Sequence, residues 1–213
     1  TRIGKTLVSC MITQALVRRG YNVGVMKPVS AGGREDAKDL IMASGVADDL
    51  DLVNPVALPE PLSPNLAAER SSTSIDTERI LEDYKELTHN HEFMIVEGAG
   101  GLLVPLSDEC LIADLVQQIG LSLIIVSRTS LGTINHTLLT IEAARSRQID
   151  IAGVIYNQVT STGDGLAESC SPEIISRISG VSMLGTVPNI TNQSDLGEIA
   201  EKHLDLSMIL RAG

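Results

Sequence analysis

Five short runs of apolar, often β-branched residues recur along the chain, separated by longer stretches with helical spacing. The runs are 21–27 (YNVGVMK), 92–98 (EFMIVEG), 121–127 (LSLIIVS), 151–157 (IAGVIYN) and 182–188 (SMLGTVP). Most are apolar at nearly every position, the pattern of strands covered on both faces. The stretches 5–18, 36–43, 76–88, 110–118, 134–147, 172–179 and 195–210 predict helices. The first ends in Arg18-Arg19-Gly20, cations at a helix C-terminus followed by a glycine stop. The sixth opens with Ser171-Pro172, a cap and a first-turn proline. This alternation predicts an α/β fold, a mostly parallel sheet wrapped by helices, with 1–213 forming a single domain. The Pro- and Ser-rich stretch 55–75 predicts a long irregular surface excursion.

Composition narrows the function. The 213 residues suffice for one large core. Aromatic residues make up 2%, with no Trp and a single Phe, so the core must be aliphatic. Stacking platforms for single-stranded nucleic acid are therefore lacking. The net charge of −11 argues against a basic nucleic-acid face. Cys10, Cys110 and Cys170 are scattered, which fits a reducing compartment and indicates neither zinc nor a redox pair. The longest apolar run, near 121–126, is too short to span a bilayer. A cytoplasmic protein with no membrane or nucleic-acid partner is expected.

In an open parallel sheet, ligands sit beyond the carboxyl ends of the strands. The residues that close the strands are Lys27-Pro28, Glu97-Gly98-Ala99-Gly100-Gly101, the 127–133 turn, Asn157 and Pro188. Gly4-Lys5-Thr6 stands at the mouth of the first helix and matches the second half of a phosphate loop. In such a loop backbone N–H groups cradle phosphate, the lysine meets the terminal phosphates and the hydroxyl faces magnesium. A surface Gly-Lys-Thr that merely opens a helix fits the tripeptide as well. Glu97 ends a buried strand, where a carboxylate can serve magnesium and the following glycines can bring N–H groups close to an anion. A tight turn with a solvent-facing Glu is the alternative. Pro28 biases Lys27 towards extended geometry, so its ammonium is aimed. A lysine there suits developing phosphoryl charge, or else simply faces solvent. Asp36 alone reads as an acid at a helix N-terminus. His136 reads as a capping or packing residue rather than a base. The other three histidines lie in polar stretches and carry no signal.

Taken together, these motifs resemble the dethiobiotin synthetase family over nearly the whole chain. The matching segments are GKT (4–6), KPV (27–29) with Gly32, DA (36–37), NP (54–55), EPLSP (60–64), VEGAGGLLVPL (96–106), LGTINHTLLT (131–140), AGVIYN (152–157) and LGTVP (184–188). The resemblance implies a phosphate-loop NTPase-like fold and an ATP-dependent cyclo-ligase of biotin biosynthesis. It implies ATP as co-substrate, Mg2+, 7,8-diaminopelargonate, CO2 and a homodimer with a site shared across the interface. By resemblance, Lys5 and Lys27 are catalytic, and Gly4, Lys5, Thr6, Glu97, Gly98, Ala99, Gly100, Gly101, Asn157 and Pro188 hold the nucleotide. Thr6, Asp36 and Glu97 hold magnesium. Ala31, Gly132, Thr133, Ile134 and Asn135 meet the diamine, the last four from the partner subunit. The family's loop reads Gly-Thr-x-Thr-x-x-Gly-Lys-Thr, so Thr1 matches its second threonine. A first strand and the loop's opening, about ten residues, are then expected ahead of Thr1. Two further departures are Ala31, where the family usually has Ser or Thr and this chain has Ser30 one place earlier, and Asn65, where His is common. A related phosphate-loop amide-forming synthetase, or a non-catalytic nucleotide-binding module, is the alternative.

Overall fold

The computed structural model describes residues 3–158, 166–190 and 195–212. All five expected strands form. β1 (Val23–Met26) and β4 (Phe93–Val96) pair in parallel, with Val23 opposite Phe93 and Met26 opposite Val96. β5 (Leu123–Arg128), β6 (Ile151–Asn157) and β7 (Met183–Val187) form a parallel sheet in that order. Two short strands that the sequence did not announce, β2 (Val29–Ala31) and β3 (Val56–Leu58), pair with each other, again in parallel. All four residues of β1 and the last five of β6 are buried, as expected of strands covered on both faces.

The helix α1 (Lys5–Arg18) has the predicted bounds. Its Val8, Met11, Ile12, Ala15 and Leu16 are buried, the spacing that places one stripe of a helix against a core. Each such large side chain contributes roughly 1.5–3 kcal/mol when fully buried. That stripe belongs to one aliphatic cluster with Val23 of β1, Ile155 of β6 and Leu184 of β7, so α1 ties the two larger sheets together. The helix ends through Arg19, and Gly20 takes φ 88°, the left-handed stop that Arg18-Arg19-Gly20 announced.

The remaining helices are α2 (Glu35–Ser44), α3 (Leu50–Val53), α4 (Pro64–Arg70), α5 (Thr77–Asn90), α6 (Ile112–Ile119), α7 (Thr133–Ser146), α8 (Leu166–Ser179), α9 (Leu196–His203) and α10 (Leu206–Ala212). Three expectations need correction. The stretch 55–75 is not irregular: it carries β3 and α4, with Leu58, Ala67 and Ala68 buried. Its helix is short and buries alanines, so no periodic run of large apolar residues marks it. Pro172 is not a first-turn proline but lies inside α8. The stretch 195–210 breaks in two because Leu204 bridges to Gly185 of β7, and the Asp205 N–H donates to the Leu184 carbonyl. The Asp205 carboxylate then accepts the N–H groups of Ser207 and Met208, a side-chain cap that starts α10.

β4 pairs only with β1, and β5 only with β6, among the described residues. Between those two unpaired edges lies an apolar slot of about 1050 Å³, open to solvent. Ile12 of α1, Phe93 and Ile95 of β4, Leu115 of α6, and Ile124 and Val126 of β5 line it. Unpaired strand edges are templates for a further strand.

Candidate active site

The carboxyl ends of both larger sheets meet at the start of α1. From β4, Glu97 accepts a hydrogen bond from the Thr6 hydroxyl at 2.9 Å. From β6, Asn157 donates through Nδ2 to the Ile3 carbonyl at 2.9 Å. Gly4 lies between them with φ 87°, a left-handed conformation, and a Cβ there would collide with the Asn157 amide. The first turn of α1 holds no acidic residue, so the positive end of the helix is left for an external anion. Thr1, the expected second threonine of the loop, lies outside the described residues.

Lys27 follows β1 and is buried, its side chain 4% exposed. Its Nζ donates to Glu97 Oε1 at 2.6 Å and to Asp36 Oδ2 at 2.8 Å. Asp36, nine residues on, and Glu97, 70 residues on, thus converge on one ammonium group, and the solvent-facing alternatives for Lys27 and Glu97 are excluded. Burial pushes the Asp36 carboxyl up, but the Lys27 ammonium, the Thr6 hydroxyl and the Lys5 charge outweigh it and hold the group below the ordinary value. The Lys5 ammonium is pushed down, first by burial and then by the charge of Lys27; Glu97 and Asp36 offset this in part.

The donor set fits a magnesium ion. Mg2+ is commonly held by one or two carboxylates together with substrate phosphates. Asp36, Glu97 and the Thr6 hydroxyl provide such a partial set, and no group of three or more His, Cys, Asp or Glu is assembled among the described residues. Glu97 Oε2 is buried without a hydrogen-bond partner, an acceptor left open in the middle of the site. A buried acceptor without a partner costs about 1–3 kcal/mol, so it favours whatever can satisfy it.

Around this centre, Gly98, Ala99, Gly100 and Gly101 form the turn after β4, with Gly100 at φ 79°. None of their N–H groups is taken by another backbone carbonyl among the described residues. Pro188 follows β7 and is half-buried. Ala31 ends β2. Its neighbour Ser30 points to the opposite face and donates to the Asn54 side chain at 2.9 Å, so Ser30 does not replace a hydroxyl at position 31. Asn54, to which the sequence reading gave no role, is fully buried and donates to the Lys27 carbonyl at 2.6 Å, fixing the backbone that aims the ammonium.

Away from the charged groups, Gly132 begins α7 with φ 92°. Gly132, Ile134 and Asn135 line a groove with Cys170 and Ile174 of α8, whereas Thr133 is buried and shares hydrogen bonds with Ser127. His136 is exposed on α7 and lines a second, smaller cavity with Ile3, so it does not pack as expected. His91, given no signal by the sequence, is held between Asp48 (2.7 Å) and Asn22 (2.8 Å) at the amino end of the strands, away from the site. Asn65 of α4 donates its N–H to the Pro105 carbonyl, and its Oδ1 is buried without a partner.

The fold is that of phosphate-loop NTPases. Its similarity to the Pyrococcus furiosus cell division ATPase MinD has a TM-score of 0.61 at 17% identity, covering 100% of this chain and 95% of that one. A ParA family ATPase from Chlorobium tepidum matches with a TM-score of 0.55 at 14% identity, covering 100% of this chain and 90% of that one. In sequence, a family model described as an AAA domain matches residues 1–195. The ATP-dependent dethiobiotin synthetase of Methanocaldococcus jannaschii is 44% identical over 191 residues, 88% of this chain and 89% of that protein. The Thermodesulfovibrio yellowstonii protein of the same name is 34% identical over 227 residues, 99% of this chain and 95% of its own. With the lysines, the carboxylates and the glycine turn of the motif all converging at one helix start, this chain belongs to the ATP-dependent dethiobiotin synthetases.

Proposed function

We propose that the chain carboxylates 7,8-diaminopelargonate with CO2 and closes it to dethiobiotin, using ATP. One amine of the diamine adds to CO2 and loses a proton, giving a carbamate. A carbamate oxygen attacks the γ-phosphorus, ADP leaves, and a carbamic–phosphoric anhydride forms. The second amine attacks the carbamate carbon, the C–O bond to phosphate breaks, and the cyclic urea forms with release of phosphate and a proton. The observation that carries this reading is the buried Lys27 ammonium, held between Glu97 and Asp36 next to Lys5 and Thr6. Phosphoryl transfer needs positioning and charge stabilisation above all. Lys5 and Lys27 supply the positive charge, and the N–H groups of Gly98, Ala99, Gly100 and Gly101 face the carbamate and phosphate oxygens. Mg2+ held by Thr6, Asp36 and Glu97 would neutralise the β- and γ-phosphates. Asn157 and Pro188 border the base, with Gly4 closing the loop beneath the phosphates. Ala31 lies beside the amines.

The diamine's carboxylate is assigned to Gly132, Ile134 and Asn135 of a partner subunit, an anion at a helix start; Thr133, expected among them, is buried with its hydroxyl bonded to Ser127 and instead holds the turn in place. Leu131, 91% exposed, and Leu139, 60% exposed, flank that turn, which supports a homodimer there. The slot between β4 and β5 is assigned to an extended parallel strand that runs into the loop before Gly4. Its two unpaired edges and apolar walls support that assignment.

The test is incubation of the protein with ATP, Mg2+, bicarbonate and the diamine. Dethiobiotin, ADP and phosphate are expected in equal amounts. ATP hydrolysis that ignores the diamine would favour a different phosphate-loop enzyme, and nucleotide binding without turnover would favour a non-catalytic module.

A further inference from the structure

The charges around Lys27 already cancel. Two ammonium groups, Lys5 and Lys27, face two carboxylates, Asp36 and Glu97. Lys27 Nζ sits 2.6 Å from Glu97 Oε1 and 2.8 Å from Asp36 Oδ2, on the very pair assigned above to the divalent cation. The Thr6 hydroxyl, the third member of that set, is turned onto the same Glu97 oxygen. Both Lys27 and Glu97 are almost wholly buried, with side chains 4% and 3% exposed. Glu97 Oε2 is the buried acceptor that nothing satisfies.

A bare dication entering beside Lys27 and Glu97 would meet two ammonium groups where water screens poorly, although Asp36, 48% exposed, stands at the solvent side. It would also have to take Glu97 and Asp36 from Lys27, leaving a buried ammonium unpaired, which is strongly unfavourable. A metal–triphosphate unit is different, because it is net anionic. Its phosphates can pair with Lys5 and Lys27 while its metal takes the carboxylates.

We propose that Lys27 is a built-in counter-ion that occupies the divalent-cation site and keeps it closed to free metal until the cation arrives with the triphosphate. Lys27 then leaves Glu97 and Asp36 and turns to the anionic reacting groups. The inference rests on the assignment of Thr6, Asp36 and Glu97 to the cation. It makes metal binding and nucleotide binding cooperative, and by linkage each ligand strengthens the other equally.

Mn2+ serves as the probe, followed by electron paramagnetic resonance or calorimetry, first without nucleotide and then with ATP. The parent chain is expected to bind Mn2+ alone weakly and to take it up far more tightly with ATP. Lys27→Met keeps the apolar stem and removes the charge. It is expected to gain at least about tenfold in affinity for Mn2+ alone, about 1.4 kcal/mol. Lys27→Arg should stay as weak as the parent, and adding Glu97→Gln to Lys27→Met should abolish the gain. Melting curves confirm that each variant folds. Unchanged Mn2+ affinity in folded Lys27→Met overturns the inference. So does a parent that binds Mn2+ equally well with and without ATP, a measurement that needs no variant. If the parent takes up Mn2+ with ATP while Lys27→Met shows no gain, the counter-ion idea fails and the site assignment stands. If no protein takes up Mn2+ under either condition, both fall.

Discussion

The carboxyl ends of β4 and β6 flank the same helix start, yet they are chemically unlike. The β1–β4 side presents charged side chains to it: Lys27, Glu97 and, from α2, Asp36, joined by bonds of 2.6 and 2.8 Å. The β5–β6 side presents mostly neutral groups: Asn157, which holds the Ile3 carbonyl, and the hydroxyls of Ser127, Thr133 and Thr137, with Ser127 2.7 Å from each of the other two and with Arg128 and His136 exposed at its rim. Charges act on charge that develops during a reaction, and in a buried site they act strongly. Neutral amides and hydroxyls fix shape and orientation. Division of labour follows: the β1–β4 side should govern turnover and the β5–β6 side nucleotide affinity.

The largest effect that tests this division is at Lys27. Lys27→Ala is expected to abolish ring formation, since losing one such stabiliser costs roughly 3–4 kcal/mol of barrier. The fold should survive, although Glu97 is left buried and unpaired, a loss of about 3–5 kcal/mol in comparable pairs. Steady-state rates show the first effect and denaturant titration the second. A folded variant within about threefold of the parent, only ~0.7 kcal/mol, would remove Lys27 from the mechanism.

Next in size is the slot between the two sides. An extended apolar strand placed in the slot and running into the loop is expected to join β4 to β5 and to add backbone N–H donors at the phosphates. Calorimetry is expected to show ATP binding at least about tenfold tighter than in the 213-residue chain, ~1.4 kcal/mol. Sedimentation should show the proposed dimer in both, because Leu131 and Leu139 do not line the slot. Equal and tight ATP affinity in both forms would show that the slot needs no strand. A monomer that still makes dethiobiotin would refute the shared site.

Asn157 should give a smaller change on the neutral side. Asn157→Ala removes the bond to Ile3, worth about 0.5–1.5 kcal/mol, and so is expected to raise the ATP dissociation constant by up to roughly tenfold. Turnover at saturating ATP should barely change. A fall in turnover comparable to that of Lys27→Ala would break the comparison.

The charged side was the more legible one in the sequence. Lys27 and Glu97 are charges that end apolar runs, and a charge in that place has few structural uses. Their meeting at one edge could be anticipated from the rule that parallel strands gather ligands at their carboxyl ends, whereas Asp36, at a helix start, joined them only through the family resemblance. Asn54 was not legible, because its value depends on contacts with Lys27 and Ser30, more than 20 residues away in sequence. His91 was hidden for the same reason: Asp48 and Asn22 reach it only after folding. The helix α4 escaped because alanines filling a tight space carry little hydrophobic signal. The hydroxyl cluster of Ser127, Thr133 and Thr137 mixes a strand end with a helix turn, so neither period marks it.

The finest test uses pH, because Lys5 and Asp36 on the β1–β4 side have displaced titrations. Burial and the charge of Lys27 lower the Lys5 pKa from its ordinary value. In the window between that lowered value and the ordinary one, the unfolded chain binds more protons than the folded one. Raising pH through this window therefore adds stability to the unliganded protein. Phosphate binding changes in the opposite direction, since the anion needs Lys5 protonated. ATP affinity should fall as pH rises through the lowered pKa, before ordinary lysines titrate, and binding there should draw protons from the buffer. Calorimetry in buffers of different ionisation enthalpy counts those protons. Lys5→Gln is expected to abolish both the proton uptake and the alkaline loss of affinity, while Asn157→Ala keeps them, because Asn157, Ser127, Thr133 and Thr137 do not ionise in this range. At the acid end stability likewise rises with pH. The Asp36 carboxyl is held below its ordinary value, so its contribution is present above the unfolded pKa and is lost as pH falls through the folded one. An alkaline decline in ATP affinity that persists in Lys5→Gln and disappears in Asn157→Ala would place the titrating contact on the β5–β6 side and invert the comparison.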